Sequence, residues 1–90
     1  MNNMANMIEE IVENVKPGTS QFNVLIYLAF KGPSAPIEIS DEIGIPSGTV
    51  RPALRSLLEK EYITQLEDGS YKSKMPFTEI IANLYTFLKK

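Results

Sequence analysis

Ninety residues with nine Lys and Arg, eleven Asp and Glu and no His give a formal charge of −2 and a pI near 5.1. A chain of that size forms one domain that buries roughly 60–65% of its unfolded surface, and its apolar content suffices for one core. Without Cys there is no disulfide, thiolate nucleophile or thiolate-bound metal; without His the usual general base is also missing, which excludes most enzyme mechanisms.

No cofactor or metal is expected. The longest apolar run, residues 24–30, falls far short of the ~20 residues that span a bilayer. The opening MNNMANMIEE has neither the basic region nor the cleavage site of a signal peptide, so a cytoplasmic protein without membrane contact is expected.

Residues 3–16 place Met4, Met7, Ile8, Ile11, Val12 and Val15 on one stripe of an amphipathic helix, which Lys16-Pro17-Gly18 stops. A second helix, capped by Thr19 or Ser20, runs to about residue 30, before Lys31-Gly32-Pro33. Its broad apolar face of Phe22, Leu25, Ile26, Ala29 and Phe30, widened by Val24 and Leu28, makes it the central one. A short helix over 36–43 has Ser34 or Ala35 at its cap, Pro36 in its first turn and Glu38 near its positive end. Gly44 ends it, and after Gly44-Ile45-Pro46 a further helix spans 47–60 on a core stripe of Val50, Ala53, Leu54 and Leu57. Residues 62–66 and 71–74 are rich in β-formers and flank Glu67-Asp68-Gly69-Ser70, which predicts a hairpin with an Asp-Gly turn. After Pro76, residues 77–90 carry Ile80, Ile81, Leu84, Tyr85 and Leu88 at helical spacing.

Two helices joined by a short Gly-containing turn make a helix-turn-helix. Ile39 and Ile43 sit one turn apart, Ser40 is small where the helices approach, and Ile45 plugs the angle between them. A hairpin directly after the second helix makes the winged form. The expected fold is mainly α with a small β-hairpin (α+β), a single winged helix-turn-helix domain over 1–90 with N- and C-terminal dimerisation helices. Its parts are an N-terminal helix 1–16, a core 20–74 containing the recognition helix 47–60 and the wing 62–74, and a C-terminal helix 77–90.

The run Ser47-Gly48-Thr49-Val50-Arg51-Pro52-Ala53-Leu54, followed by Leu57-Leu58-Glu59-Lys60-Glu61-Tyr62-Ile63, resembles the PadR family of winged-helix transcriptional regulators. The resemblance covers residues 20–73 and is specific mainly in Gly48, Thr49, Pro52, Ala53 and Leu54. It implies homodimeric repressors that bind double-stranded DNA and dimerise through terminal helices. Arg51 stands where that family has Tyr, so a base preference does not carry over; the wing is short, and the C-terminal dimerisation region is reduced to one helix. Small winged-helix proteins of similar pattern also bind archaeal DNA partition sites. A segregation role, with spreading along DNA and a further protein partner, is therefore an alternative.

The residues themselves point to the same interface. At 100° per residue, Gly48, Arg51, Pro52 and Arg55 fall opposite the core stripe. Arginine reads guanine O6 and N7 bidentately or grips phosphate, and a major groove of ~12 Å admits one helix. Ser47 and Thr49 add hydroxyls at a helix start that favours phosphate, and Gly48 lets the backbone come close. The plain alternative is a solvated face, with Arg51 and Arg55 pairing with Glu59. In the wing, Lys72 and Lys74 share one strand face, with Gly69 and Ser70 at the tip, a pattern that suits phosphate contact or an edge strand protected by lysine. Glu67 and Asp68 work against phosphate there, and Lys31 is a weaker candidate.

The two terminal stripes need a burial partner. The favoured one is a symmetry mate, with Met4, Met7, Ile8, Ile11, Val12, Val15, Ile81, Leu84, Tyr85 and Leu88 in a dimer interface; the N-terminal stripe folding back on its own domain is the other reading. Residues 1–45 carry −4 and residues 46–90 carry +2, so the acidity sits mainly away from the candidate interface and does not exclude a cytoplasmic, nucleoid-associated DNA-binding protein. The competing class is a winged helix used for protein contacts without DNA.

Overall fold

The computed structural model describes residues 15–89. Over that span the order is α1 (Ser20–Lys31), α2 (Pro36–Ile43), α3 (Ser47–Glu59), β1 (Ile63–Gln65), β2 (Tyr71–Ser73) and α4 (Phe77–Lys89). The described chain is mostly helical with a two-stranded antiparallel hairpin, the architecture of a winged helix-turn-helix.

Local chemistry sets each helix start. The Thr19 hydroxyl accepts the Phe22 N–H at 3.2 Å and donates to the Lys16 carbonyl at 2.8 Å, so Thr19, not Ser20, caps α1. At α2, Pro36 fills the first position, where a missing N–H costs nothing, and Glu38 accepts the Ala35 N–H at 2.7 Å. Val24, Leu25 and Leu28 bury α1 at the centre. Ile39 of α2, Val50, Ala53, Leu54 and Leu57 of α3, and Tyr62, Ile63, Met75 and Ile80 close the core around it.

In the wing, Ile63 pairs with Ser73, Thr64 with Lys72 and Gln65 with Tyr71. Its turn differs from the two-residue Asp-Gly type. Gly69 donates to the Leu66 carbonyl at 3.0 Å, Leu66 donates to Ser70 at 2.8 Å, and Gly69 alone in the turn takes positive φ, at 91°. The loop therefore has three residues with glycine at its left-handed position. Asp68 stays out of the left-handed region because its carboxylate is engaged, accepting the Ser70 N–H at 2.9 Å and the Ser70 hydroxyl at 2.7 Å. The hairpin does not stand alone. Ser34 and Tyr71 exchange backbone bonds at 3.0 and 2.9 Å, which fasten β2 to the α1–α2 connection.

Four expectations need correction. Val15, assigned to a dimer interface, is 2% exposed and belongs to the chain's own core. Val15 and Lys16, the described part of the predicted N-terminal helix, are not helical. Met4, Met7, Ile8, Ile11 and Val12 lie outside the described residues. Phe30, expected in the core face of α1, is mostly exposed, and its ring meets only the edge of Phe77 at 5.1 Å among the ring contacts of the described residues. Leu84 is half-buried against the same core, while Ile81, Tyr85 and Leu88 remain on the outside of α4. Among the described residues no helix is long and apolar enough to cross a membrane.

Candidate nucleic-acid interface

The corner between α2 and α3 sets how α3 is presented. Gly44 takes φ 70° and ψ 29°, a left-handed conformation that costs glycine least, and donates to the Ser40 carbonyl at 3.0 Å. The Ser40 hydroxyl donates to the Ile45 carbonyl at 2.6 Å. One side chain thus ties α2 to the residue that leads into α3. Sequence reasoning valued Ser40 only for its size; a serine four residues before a helix-ending glycine was the signal it missed.

Pro46 begins α3 by accepting the Thr49 and Val50 N–H groups at 2.8 and 3.0 Å. Among the described residues no side chain caps this helix, so the first-turn N–H groups of Ser47 and Gly48 find no partner there. Beyond them the helix is sharply two-sided. Val50, Ala53, Leu54 and Leu57 are buried, whereas Ser47, Gly48, Thr49, Arg51, Pro52 and Arg55 are all exposed. Arg51 and Arg55 are met by no acidic side chain among the described residues, so the expected alternative of their pairing with Glu59 does not form. Glu59 sits at the C-terminal end of this face, leaving the positive charge in the middle turns.

Pro52 lies inside α3, where proline costs a helix about 3 kcal/mol. Having no N–H, it leaves the Gly48 carbonyl without its ladder partner. The other end of α3 closes differently. Glu61 and Tyr62 donate to the Leu58 and Leu57 carbonyls at 2.9 and 3.1 Å, with Glu61 at φ 66°. This is a Schellman closure with a non-glycine at its left-handed position, and it turns the chain into β1 with Tyr62 buried beneath.

On the wing, Lys72 and Lys74 are exposed and Ser73 between them is buried, as their alternation predicts. The tip is less suited to contact. Ser70 is buried with its hydroxyl spent on Asp68, and Gly69 is half-buried, which removes Ser70 from the presented set. The same hydroxyl, with the Ser70 N–H, holds the Asp68 carboxyl below its ordinary pKa and keeps the tip anionic. The wing's cationic surface is therefore the strand, not the turn. Lys31 is exposed at the end of α1.

Residues 22–67, just over half of the chain, match the family model of the IclR helix-turn-helix domain. The chain belongs to that family. The match begins in α1 and ends at the wing turn, so it takes in both helices of the corner and β1. Two transcriptional activators of Sulfolobus acidocaldarius, the HTH-type activators ArnR and ArnR1, are each 39% identical to the chain over 51 residues. That stretch covers 57% of this chain and 19% of each activator, so the match spans about a fifth of the length of these curated relatives. No solved structure matches the chain.

Proposed function

We propose that this IclR-type domain is a sequence-specific double-stranded DNA-binding transcription regulator that inserts α3 into the major groove. The observation that carries this reading is the exposed face of α3, where Arg51 and Arg55 meet no acidic partner among the described residues and stand opposite a fully buried stripe. Ser47 and Gly48 offer open N–H groups to a phosphate at the helix start, and Lys72 and Lys74 extend the contact to the flanking backbone. The resemblance to PadR regulators in Gly48, Thr49, Pro52, Ala53 and Leu54 supports the same use of the helix. The two relatives named HTH-type transcriptional activators support the regulator reading. We also propose that the chain acts as one domain and as a homodimer, with Ile81, Tyr85 and Leu88 in the interface.

Selection from random duplexes tests the reading. The expected product is a pseudo-palindrome, bound with strong salt dependence. Arg51→Ala and Arg55→Ala should each weaken binding to it by about 1–3 kcal/mol while the melting temperature is unchanged. If both variants bind as tightly as the parent, α3 is not the reading element. The PadR resemblance implies repression and the relatives are named activators; a reporter carrying the selected site upstream of, or overlapping, a promoter separates the two.

A further inference from the structure

Of the five glycines, four have positive φ and Gly48 does not. A Cβ built on Gly48 would meet nothing within 4 Å, so no close approach inside the chain requires glycine there either. Pro52 is exposed and fills no core position, yet it interrupts the ladder of α3. Two residues that weaken a helix thus stand four apart on its exposed face, beside Arg51 and Arg55. Among the described residues no contact or backbone constraint accounts for either. A surface bare of side chain, with a carbonyl that lacks its ladder donor, makes sense toward something outside the chain.

We infer that the Gly48 carbonyl, freed by Pro52, accepts a hydrogen bond from an exocyclic base amine in the major groove, the N6 of adenine or the N4 of cytosine. The inference rests on the DNA-binding reading above and deepens it. Arginine only donates, so Arg51 and Arg55 select acceptor edges such as guanine O6 and N7. The Gly48 carbonyl supplies the opposite preference, for a donor, at a neighbouring base pair. Gly48 has no side chain to hold the base edge away, and Pro52 has no N–H to compete for the carbonyl. The open N–H groups of Ser47 and Gly48 lie at the same helix start and hold the phosphate that sets the register.

Pro52→Ala restores the missing N–H and tests the inference directly. Random-duplex selection on the parent and on Pro52→Ala should differ at one base pair in each half-site, where discrimination falls about tenfold. Preferences owed to Arg51 and Arg55 should persist, and thermal melting should show the variant at least as stable as the parent. At that base pair, replacing adenine by purine, or cytosine by its analogue lacking the N4 amine, should weaken the parent about tenfold and Pro52→Ala hardly at all. An unchanged preference in Pro52→Ala, or an equal loss of both proteins on the amine-free duplex, overturns the inference and leaves the DNA reading standing. Flattening at every position of the site also overturns it, by making Pro52 a residue that only shapes the helix. A parent that enriches no duplex even at low salt fails the DNA reading itself.

Discussion

Ser40 contributes the hydroxyl that bridges α2 to the Ile45 carbonyl, and the same residue's carbonyl takes the Gly44 N–H. The turn between the two helices therefore closes on one residue from both its backbone and its side chain. Ser40 is half-buried, so alanine there leaves the Ile45 carbonyl with poor access to water. Ser40→Ala should cost about 1 kcal/mol in urea unfolding, with the slope of the transition unchanged. If α3 reads DNA, it should lose affinity as well, since the corner that aims the helix is looser. A variant as stable as the parent would mean that the hydroxyl bond is exchanged for water without penalty.

At the scale of elements, α3 ends on a residue unsuited to its conformation. Glu61 at φ 66° carries a side chain where glycine is the usual occupant, and left-handed backbone costs other residues roughly 1–2 kcal/mol. Glycine gives back part of that gain through the greater freedom of its unfolded chain, so Glu61→Gly should stabilise the domain by about 0.5–1 kcal/mol. Its thermal midpoint should rise by a few degrees; a fall would show that the Glu61 side chain has a stabilising role. The helices themselves were plain in the sequence, because Ile39, Val50, Ala53, Leu54 and Leu57 repeat at helical spacing and Pro36 and Gly44 mark the ends of α2. The exposed face of α3 follows from that same periodicity. The Ser34–Tyr71 bridge was not legible, since one paired residue has no alternation to display. The length of the wing loop was not legible, because Asp-Gly suits two loop types, and the choice lies in the bonds that Ser70 gives Asp68. Phe30 and Val15 were misplaced for a third reason: periodicity reports that a face is apolar, not which neighbour reaches it.

At the scale of the whole molecule, the net charge of −2 and the exposed α4 surface act together. One domain with a few cations on one face attracts duplex DNA weakly by bulk charge, so useful affinity calls for two copies bound at once. Ile81, Tyr85 and Leu88 recur at i, i+4 and i+7 along α4, with Tyr85 and Leu88 about two-thirds exposed, and an apolar row of that kind is what a twofold partner would cover. Light scattering at micromolar concentration should accordingly give about twice the monomer mass of 10.1 kDa. Replacing both Tyr85 and Leu88 by Glu should return the monomer mass and leave the melting of the domain nearly intact, because neither residue contributes to the core. On a selected palindrome the paired variant should bind far more weakly than the parent, while both bind an isolated half-site alike. Twofold symmetry further sets the half-site centres about 34 Å, one duplex turn, apart or a multiple of it, so inserting five base pairs between them should weaken the parent strongly and the monomeric variant hardly at all. A parent that scatters as a 10.1 kDa species rules the dimer out, and affinity would then have to come from the single α3 face.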